Sequence, residues 1–489
     1  MNIFNWHELI TNASTLLNTA YILTVVFIIL LILLENRSPL KSISWILVIT
    51  LIPIAGILLY FFFGQKYRKK RIYSKKEARY QRKINEISEY QIKALSQVKL
   101  KEIDEKLVEK SDIMTLLLRN DKAFLSRNKS IQVLKNGSET FEVLKNELRK
   151  AKKHIHFEFY IFKFDGIGLE IFEILKEKSL AGVEVRVIYD SVGSYKMPSI
   201  KKREAKNAGI QLKSFQRVIF PILSSRVNYR NHRKIVVIDG KIGFTGGLNV
   251  ADRYLENKPN GKYWRDTFVK IEGKAASALQ SIFINDWFYV SKESIYHEKY
   301  FTEEDGDGNI TQIISSGPDS NWHAISQFYF SAITSSKKNV YIASPYFIPN
   351  DEISFALKAA ALRGIDVRIL IPKKSDTFVS HLSSTSYIKE MLKAGVKIYR
   401  YEKGFCHSKI LMSDGVLSSI GSANLDYRSL ETNFEVNAIF YDEKVTAELT
   451  KQYLNDLNDS EHLQLGEWRK RAWYLKLISS VARLFAPLM

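Results

Sequence analysis

The chain has 489 residues, enough for two ordinary domains and extra segments. Its 72 Lys and Arg against 52 Asp and Glu leave a formal charge of +20. That balance points to an anionic partner, nucleic acid or an acidic membrane surface, without choosing between them. The single cysteine, Cys406, excludes an intrachain disulfide, and it reads as a small buried residue rather than a nucleophile.

Two apolar runs come first. "LLNTAYILTVVFIILLILL" (16–34) has spanning length, and "SISWILVITLIPIAGILLYFFF" (42–63) follows after a short polar loop. A basic start and a small-residue cleavage site are both missing, so a signal peptide is not the reading. Residues 1–65 are expected to form a two-helix transmembrane hairpin, with Pro53 and Gly56 as interruptions of the second span. Lys66, Arg68, Lys69, Lys70, Arg71, Lys75 and Lys76 follow directly, while the loop between the runs holds Arg37 and Lys41 offset by Glu35. The positive-inside rule then places residue 66 onward in the cytoplasm.

Residues 66–110 read as a basic helical connector. Beyond it the chain repeats itself. "IQVLKNG" (131–137) resembles "TQIISSG" (311–317), and "AKKHIHFEFYIF" (151–162) resembles "SKKNVYIASPYFI" (336–348). "AGVEVRVIYD" (181–190) answers to "RGIDVRILIP" (363–372), and "NAGIQLKSF" (207–215) to "KAGVKIYRY" (393–401). β-Branched runs alternate with helical stretches, such as that carrying Leu169, Phe172 and Leu175 on one face. This is α/β architecture, duplicated over 111–300 and 301–489. "TEEDGDGN" (302–309) imitates a calcium loop but lacks the turn glycine and the last Glu, so no metal site is expected.

One string closes each copy: "NHRKIVVIDGKIGFTGGLN" (231–249) and "CHSKILMSDGVLSSIGSAN" (406–424). Asp-Gly between apolar runs is a hairpin signal, because both turn positions favour positive φ. Alternation puts His232 with Lys234, and His407 with Lys409, on shared faces. Asp239 and Asp414 have the opposite parity and sit in the turn. A two-residue turn would set Gly247 across from His232 and Ser422 across from His407, with Asn249 and Asn424 just beyond. The inventory suits a phosphate: Lys gives charge, Asn gives hydrogen bonds, a small residue lets an anion approach the backbone, and His attacks phosphorus or moves a proton. Two copies packed face to face would supply both imidazoles to one site.

At these residues the chain resembles the phospholipase D superfamily, whose hallmark is a duplicated His-x-Lys-x4-Asp motif followed by Gly-Ser-x-Asn. The match covers roughly 111–489. With the apolar runs ahead of it, the whole chain is similar to the bacterial cardiolipin synthase family. The resemblance implies two phospholipase D-like domains, mixed β-sheets flanked by helices, around one composite active site. It implies condensation of two phosphatidylglycerols into cardiolipin and glycerol, without metal or nucleotide cofactor. It carries His232, Lys234, Asp239, His407, Lys409 and Asp414 as motif residues. It also implies a carboxylate for each imidazole, offered by Asp266 after His232 and by Glu435 after His407. Copy one has Gly247 where Ser is usual, and a backbone amide is expected to donate in its place. Parity argues that Asp239 and Asp414 are structural.

The implied cycle is ping-pong, with His232 favoured as nucleophile by analogy and Lys234, Lys409, Asn249 and Asn424 holding the phosphate. A hydrolytic phospholipase D or another phosphatidyltransferase would carry the same motif. A nuclease would suit the charge but has no need of two spans, so no nucleic acid is expected, and phosphatidylglycerol and anionic membrane lipid are the expected partners. Two segments remain open. Val218, Ile219, Phe220, Ile222 and Leu223, in the long linker before His232, either dip into the bilayer at the site's entrance or cap the core. The terminal stretch 467–489 either lies on the bilayer or packs on its own domain.

Overall fold

In each half, strands rich in Val and Ile alternate with amphipathic helices, and a parallel pair of strands is bridged by a helix each time. In the first half His154–Phe159, Glu184–Asp190 and Gln211–Phe215 pair in parallel, with helices Gly166–Leu180 and Ser199–Asn207 between them. In the second half Asn339–Ala343, Asp366–Pro372 and Lys397–Tyr401 do the same around Asp351–Leu362 and Phe378–Lys393. On the helix Gly166–Leu180 the buried face is Ile167, Ile171, Phe172, Ile174 and Leu175; Leu169 is only half-buried. The computed structural model describes residues 6–34, 39–52, 54–60, 64, 75–96, 109–216, 229–256, 263–302, 306, 308–320, 322–484 and 486.

The two halves share one sheet of 15 strands. From its centre outward, the first half runs Ser126–Lys135, Thr267–Gly273, Ile242–Gly246, Ile235–Ile238, His154–Phe159, Glu184–Asp190, Gln211–Phe215. The second half runs Ile310–Ser316, Glu435–Tyr441, Leu417–Gly421, Ile410–Ser413, Asn339–Ala343, Asp366–Pro372, Lys397–Tyr401, with Ser460–His462 added at the edge. The order is the same in both halves. Every repeated string of the sequence therefore falls on the corresponding strand of its half. The seam is a short antiparallel pairing of Ser126 with Thr311 and Arg127 with Ile310. The two expected phospholipase D-like halves pack as one compact unit, because the edge strand of each sheet finds its partner in the other. Three apolar clusters line the sheet, and two of them draw on both halves: one joins Ile113 and Leu117 to Ile314 and Phe328, the other Ile235 and Trp287 to Met412 and Tyr453.

The N-terminal unit covers Met1–Tyr67. Its helix Trp6–Leu34 contains a 20-residue apolar stretch, Thr15–Leu34, long enough to cross a bilayer. The second apolar run is not one helix. It divides into Pro39–Leu51 and Ala55–Leu59, and Ile54 between them has φ 61°. A Cβ on Gly56 would lie 2.4 Å from the Val48 carbonyl oxygen, so only glycine permits this close return of the chain. Ile28, Ile32, Ile49 and Tyr60 form a small core that joins the helices. The basic residues 66–71 and the apolar linker Val218–Leu223 lie outside the described residues.

The expected connector is in part a packed helix, Lys75–Ser96. Its Gln91 amide donates to Leu125 O and accepts from Leu125 N–H, both at 2.8 Å. At the other end of the chain, helix Trp473–Leu484 packs on Phe378–Lys393. Ser383 Oγ donates to Ala482 O at 2.8 Å, and Arg483 reaches Glu390 at 3.2 Å. Trp473, Tyr474 and Leu477 stay exposed on its other side.

Both Asp-Gly turns form, with Asp239 and Gly240 at φ 53° and 72° and Asp414 and Gly415 at 55° and 77°. The register is one residue off the two-residue expectation. Ile238 faces Ile242, and Ser413 faces Leu417, so Lys241 and Val416 are left in the turn. Gly247 and Ser422 therefore do not lie opposite His232 and His407. Each turn aspartate braces the start of a neighbouring strand. Asp239 accepts backbone N–H bonds from Lys152, Lys153 and His154 at 2.7 to 3.0 Å. Asp414 accepts from Lys337 and Lys338 and pairs with Lys110 Nζ at 2.7 Å. Both carboxylates sit in the turns at the ends of Ile235–Ile238 and Ile410–Ser413 that lie away from His232 and His407. Replacing Asp414 by Ala orphans several donors and should destabilise the fold by about 1–3 kcal/mol, seen as a lower denaturation midpoint. Turnover per folded molecule should be kept; lost turnover at unchanged stability would return Asp414 to the chemistry.

Candidate active site

The segment before each histidine runs beside the segment before the other half's carboxylate. His232 N–H donates to Phe434 O at 2.9 Å, and Glu435 is the next residue. His407 N–H donates to Arg265 O at 2.7 Å, and Asp266 is the next residue. A short parallel ladder, Gly404–Cys406 with Tyr263–Arg265, fixes the second crossing; a bridge from Asn231 to Phe434 fixes the first. The outcome reverses the expected pairing within each copy. His232 Nδ1 lies 3.0 Å from Glu435 Oε2, and His407 Nδ1 lies 2.7 Å from Asp266 Oδ2.

Both carboxylates are wholly buried, whereas the His232 and His407 side chains keep 12% and 9% exposure. Burial would raise the carboxyl groups. His407 and Lys409 nevertheless hold Asp266 below its usual range, and His232 and Lys234 do the same for Glu435. An ionised carboxylate can only accept, so it fixes the Nδ1–H tautomer and leaves the Nε2 lone pair outward. Burial pushes His232 down, with Glu435 opposing and Lys234 assisting. It pushes His407 down to about 3, with Lys409 assisting and Asp266 opposing. Both rings are neutral bases at pH 7. Each also feels the lysine of the other half.

Lys234 and Lys409 are buried and repeat one geometry: each Nζ donates to the carbonyl of its own histidine at 2.6 Å. Burial is the main cause that lowers Lys234 to about 7 and Lys409 to about 8, against the pull of Glu435 and Asp266. Such ammonium groups lack solvation, and an arriving phosphate would give them a close hydrogen-bonding anion.

The small residues serve the carboxylates instead of an anion. Ser422 Oγ donates to Glu435 Oε2 at 2.5 Å, and its backbone N–H is spent on Val436 O. Gly247 N–H is spent on Thr267 O, so the amide expected to replace the missing serine hydroxyl is not free. A Cβ at 247 would stand 2.1 Å from Asp266 Oδ1, which is why glycine is needed there. Asn249 Oδ1 accepts from Ile161 N–H, and its Nδ2 donates to Tyr254 OH at 3.0 Å. Asn424 is buried. Three aromatic residues that the motif does not name frame the rings: Tyr160 at 5.2 Å from His232, and Trp264 and Tyr254 at 5.0 and 6.4 Å from His407. Cys406 is buried, its thiol pushed up to about 12 by burial.

Residues 144–287 and 329–457 match the family described as "Cardiolipin synthase, PLD-like domain". This chain belongs to that family. Residues 22–65 match a second description, the phospholipase D–nuclease N-terminal segment, which fits membrane association through the apolar N-terminal helix. A cardiolipin synthase of Geobacillus sp. is 42% identical over 95% of this chain and 92% of its own length. That of Halalkalibacterium halodurans is 41% identical over 99% of the chain and 95% of its own. The family makes this chain a phosphatidyltransferase of the cardiolipin synthase type. Among solved structures, a phosphatidylserine synthase of Haemophilus influenzae covers 79% of the chain with TM-score 0.61 at 13% identity, a likeness of fold.

The lysine values set an alkaline limb. As pH rises through about 7 to 8, the free protein should lose these two ammonium charges, and its affinity for a phosphodiester should fall. kcat/KM on lipid substrate should decline over that interval. Calorimetry at pH 8 in buffers of different ionisation enthalpy should show protons taken up on binding a phosphodiester. A flat response would mean that the lysines stay charged without ligand.

Proposed function

We propose that this chain joins two phosphatidylglycerol molecules into cardiolipin and glycerol at one site shared by both halves. The observation that carries the reading is the crossed pair: two imidazoles, each braced at Nδ1 by a carboxylate of the other half, beside two buried lysines. Asp266 and Glu435 act as positioning residues, and Asp239 and Asp414 as structural ones.

In the first step Nε2 of His232 attacks phosphorus, and the P–O bond to the terminal glycerol breaks. The departing oxygen takes a proton from the second imidazole, His407, which holds one drawn from solvent or kept from the second step of the preceding cycle. The product is a phosphatidyl-histidine and free glycerol. In the second step His407 accepts the proton of the second lipid's terminal hydroxyl. That oxygen bonds to phosphorus, the N–P bond breaks, and cardiolipin leaves. Lys234 and Lys409 face the charge that grows on the equatorial oxygens, with Asn249 and Asn424 alongside. The electron and proton counts close without an added reactant. Hydrolysis is the same cycle with water as second substrate.

Incubating the purified protein with phosphatidylglycerol vesicles tests this. Cardiolipin and glycerol should appear in equal amounts. His232→Ala and His407→Ala should each lower the rate by roughly a thousandfold or more. Near-normal activity in either variant would rule out a shared site. Phosphatidic acid as the sole product would assign a hydrolase.

The second apolar run is proposed to cross the bilayer or return within it so that residues 66 onward are cytoplasmic, supported by the basic run 66–71. A cysteine at Ser38 should react with an impermeant thiol reagent in intact cells if both runs span. The buried Cys406 thiol remains silent. Protection of position 38, with labelling only after lysis, would favour the returning segment.

A further inference from the structure

Four residues after each motif asparagine stands an arginine: Arg253 after Asn249, and Arg428 after Asn424. The duplication therefore extends four residues beyond the motif asparagine. Arg253 lies in a 3-10 turn, Asp252–Tyr254, at the edge of the site and is exposed. Its guanidinium stacks over the Tyr254 ring at 4.8 Å and the Trp264 ring at 5.9 Å. Those are two of the three rings around His407, the third being Phe405, so Arg253 stands one aromatic ring away from that imidazole. Nη2 donates to Tyr254 OH at 2.6 Å, but that oxygen already receives Asn249 Nδ2. Tyr254 therefore does not need Arg253 for its own satisfaction. Among the described residues no carboxylate lies within ion-pair distance of Arg253. By contrast, Arg230, Arg233 and Arg265, also near the site, each pair with an aspartate. Arg428 lies in the short helix Tyr427–Glu431, and its charge, like that of Arg253, is felt by Tyr160, the ring beside His232.

The two-lipid reaction needs a place for a second anion. The attacking hydroxyl belongs to a lipid with its own phosphodiester, three carbons away. Two phosphorus atoms joined through one glycerol are separated by six bonds, roughly 7 Å when extended. An incoming alcohol occupies the side from which the first glycerol left, beside the imidazole that handles protons. With His407 in that role, the non-reacting phosphate falls beyond the His407 ring, toward Trp264 and Tyr254. A planar guanidinium stacked on aromatic faces, with donors to spare, suits a phosphodiester there.

We propose that Arg253 binds the non-reacting phosphodiester of the acceptor lipid and so selects an anionic acceptor over water or a neutral alcohol. The proposal rests on the two-lipid reading and on His407 as the proton-transfer group.

The test compares two outputs of the full-length protein in phosphatidylglycerol vesicles. One is cardiolipin formation. The other is incorporation of labelled free glycerol into phosphatidylglycerol, in which the acceptor is neutral and carries no phosphate. Arg253→Gln should lower the ratio of cardiolipin formed to glycerol exchanged by roughly tenfold to a hundredfold, the effect of one charged hydrogen-bonding partner. Arg253→Lys should restore part of that ratio. A proportional loss of both outputs with a lower melting temperature would assign Arg253 to bracing Tyr254 and overturn the proposal. A selective loss with Arg428→Gln and none with Arg253→Gln would also overturn it, by moving the acceptor to the His232 side. If the unaltered protein exchanges glycerol but makes no cardiolipin, the two-lipid reading itself falls, and that result is distinct from either of the others.

Discussion

Two buried carboxylates, each committed to an imidazole of the other half, constrain everything else in this molecule. Removing a carboxylate from water costs several kcal/mol even after relaxation, and the cost is offset only by close partners in good geometry. Asp266 has His407 at 2.7 Å, and Glu435 has His232 at 3.0 Å. Separating the halves would leave both carboxylates without those partners. The continuous sheet, the ladder at 404–406 and the bridge at 231 all serve to hold this crossing in register. The duplication is therefore more than two similar folds placed side by side. Neither half contains a complete imidazole–carboxylate pair.

The same burial that makes the crossing costly also shapes the charge at its mouth. Lys234 and Lys409 lie far from bulk water, and that loss of solvation depresses both; Lys409 adds to the effect on Lys234. Their attraction to Glu435 and Asp266 is not enough to restore them. The ammonium groups are thus short of solvation rather than of counter-charge. A phosphodiester would give them a close hydrogen-bonding anion, and a phosphorane-like transition state, carrying more charge on its equatorial oxygens, would hold them more strongly still. That difference between ground and transition state is what accelerates a reaction.

Much of this was legible in the sequence because it is local. The strands, the helices between them and the Asp-Gly turns follow from alternation and turn chemistry, and the duplicated motif named the residues that the fold brings together. Parity put the turn aspartates away from the histidines, where the structure has them in backbone hydrogen bonds. What the sequence hid is long-range. Spacing cannot show that the chain before His232 runs beside Phe434, so the carboxylates were matched to the histidines of their own copies. The turn kept one extra residue on each hairpin, which moved Gly247 and Ser422 away from the histidines they were expected to face. The free edges of two sheets met and merged, a pairing that depends on shape rather than on any motif. The break at Ile54 follows from Pro53 and Gly56, which were visible, but the close return of Gly56 onto Val48 was not.

The two copies are alike in layout and unlike where a two-role mechanism needs them to be. Glutamate is one methylene longer than aspartate. Glu435 uses that length to reach His232 while Ser422 Oγ steadies its second interaction. Asp266 is shorter and is drawn in against Gly247, where no Cβ fits, and a backbone N–H from Thr267 replaces the serine. A serine at 247 and an aspartate at 266 cannot both occupy that space, so these choices are coupled in pairs: Ser with Glu, Gly with Asp. The coupling leaves the imidazoles in different surroundings. His407 lies against Trp264 and within reach of the Tyr254 and Arg253 stack, while His232 meets Tyr160 and the carbonyl of Ser422. A symmetric site would offer two identical bases. This one offers two that differ in neighbours, in carboxylate length and in aromatic cover, which is the condition under which one can hold phosphorus while the other moves protons.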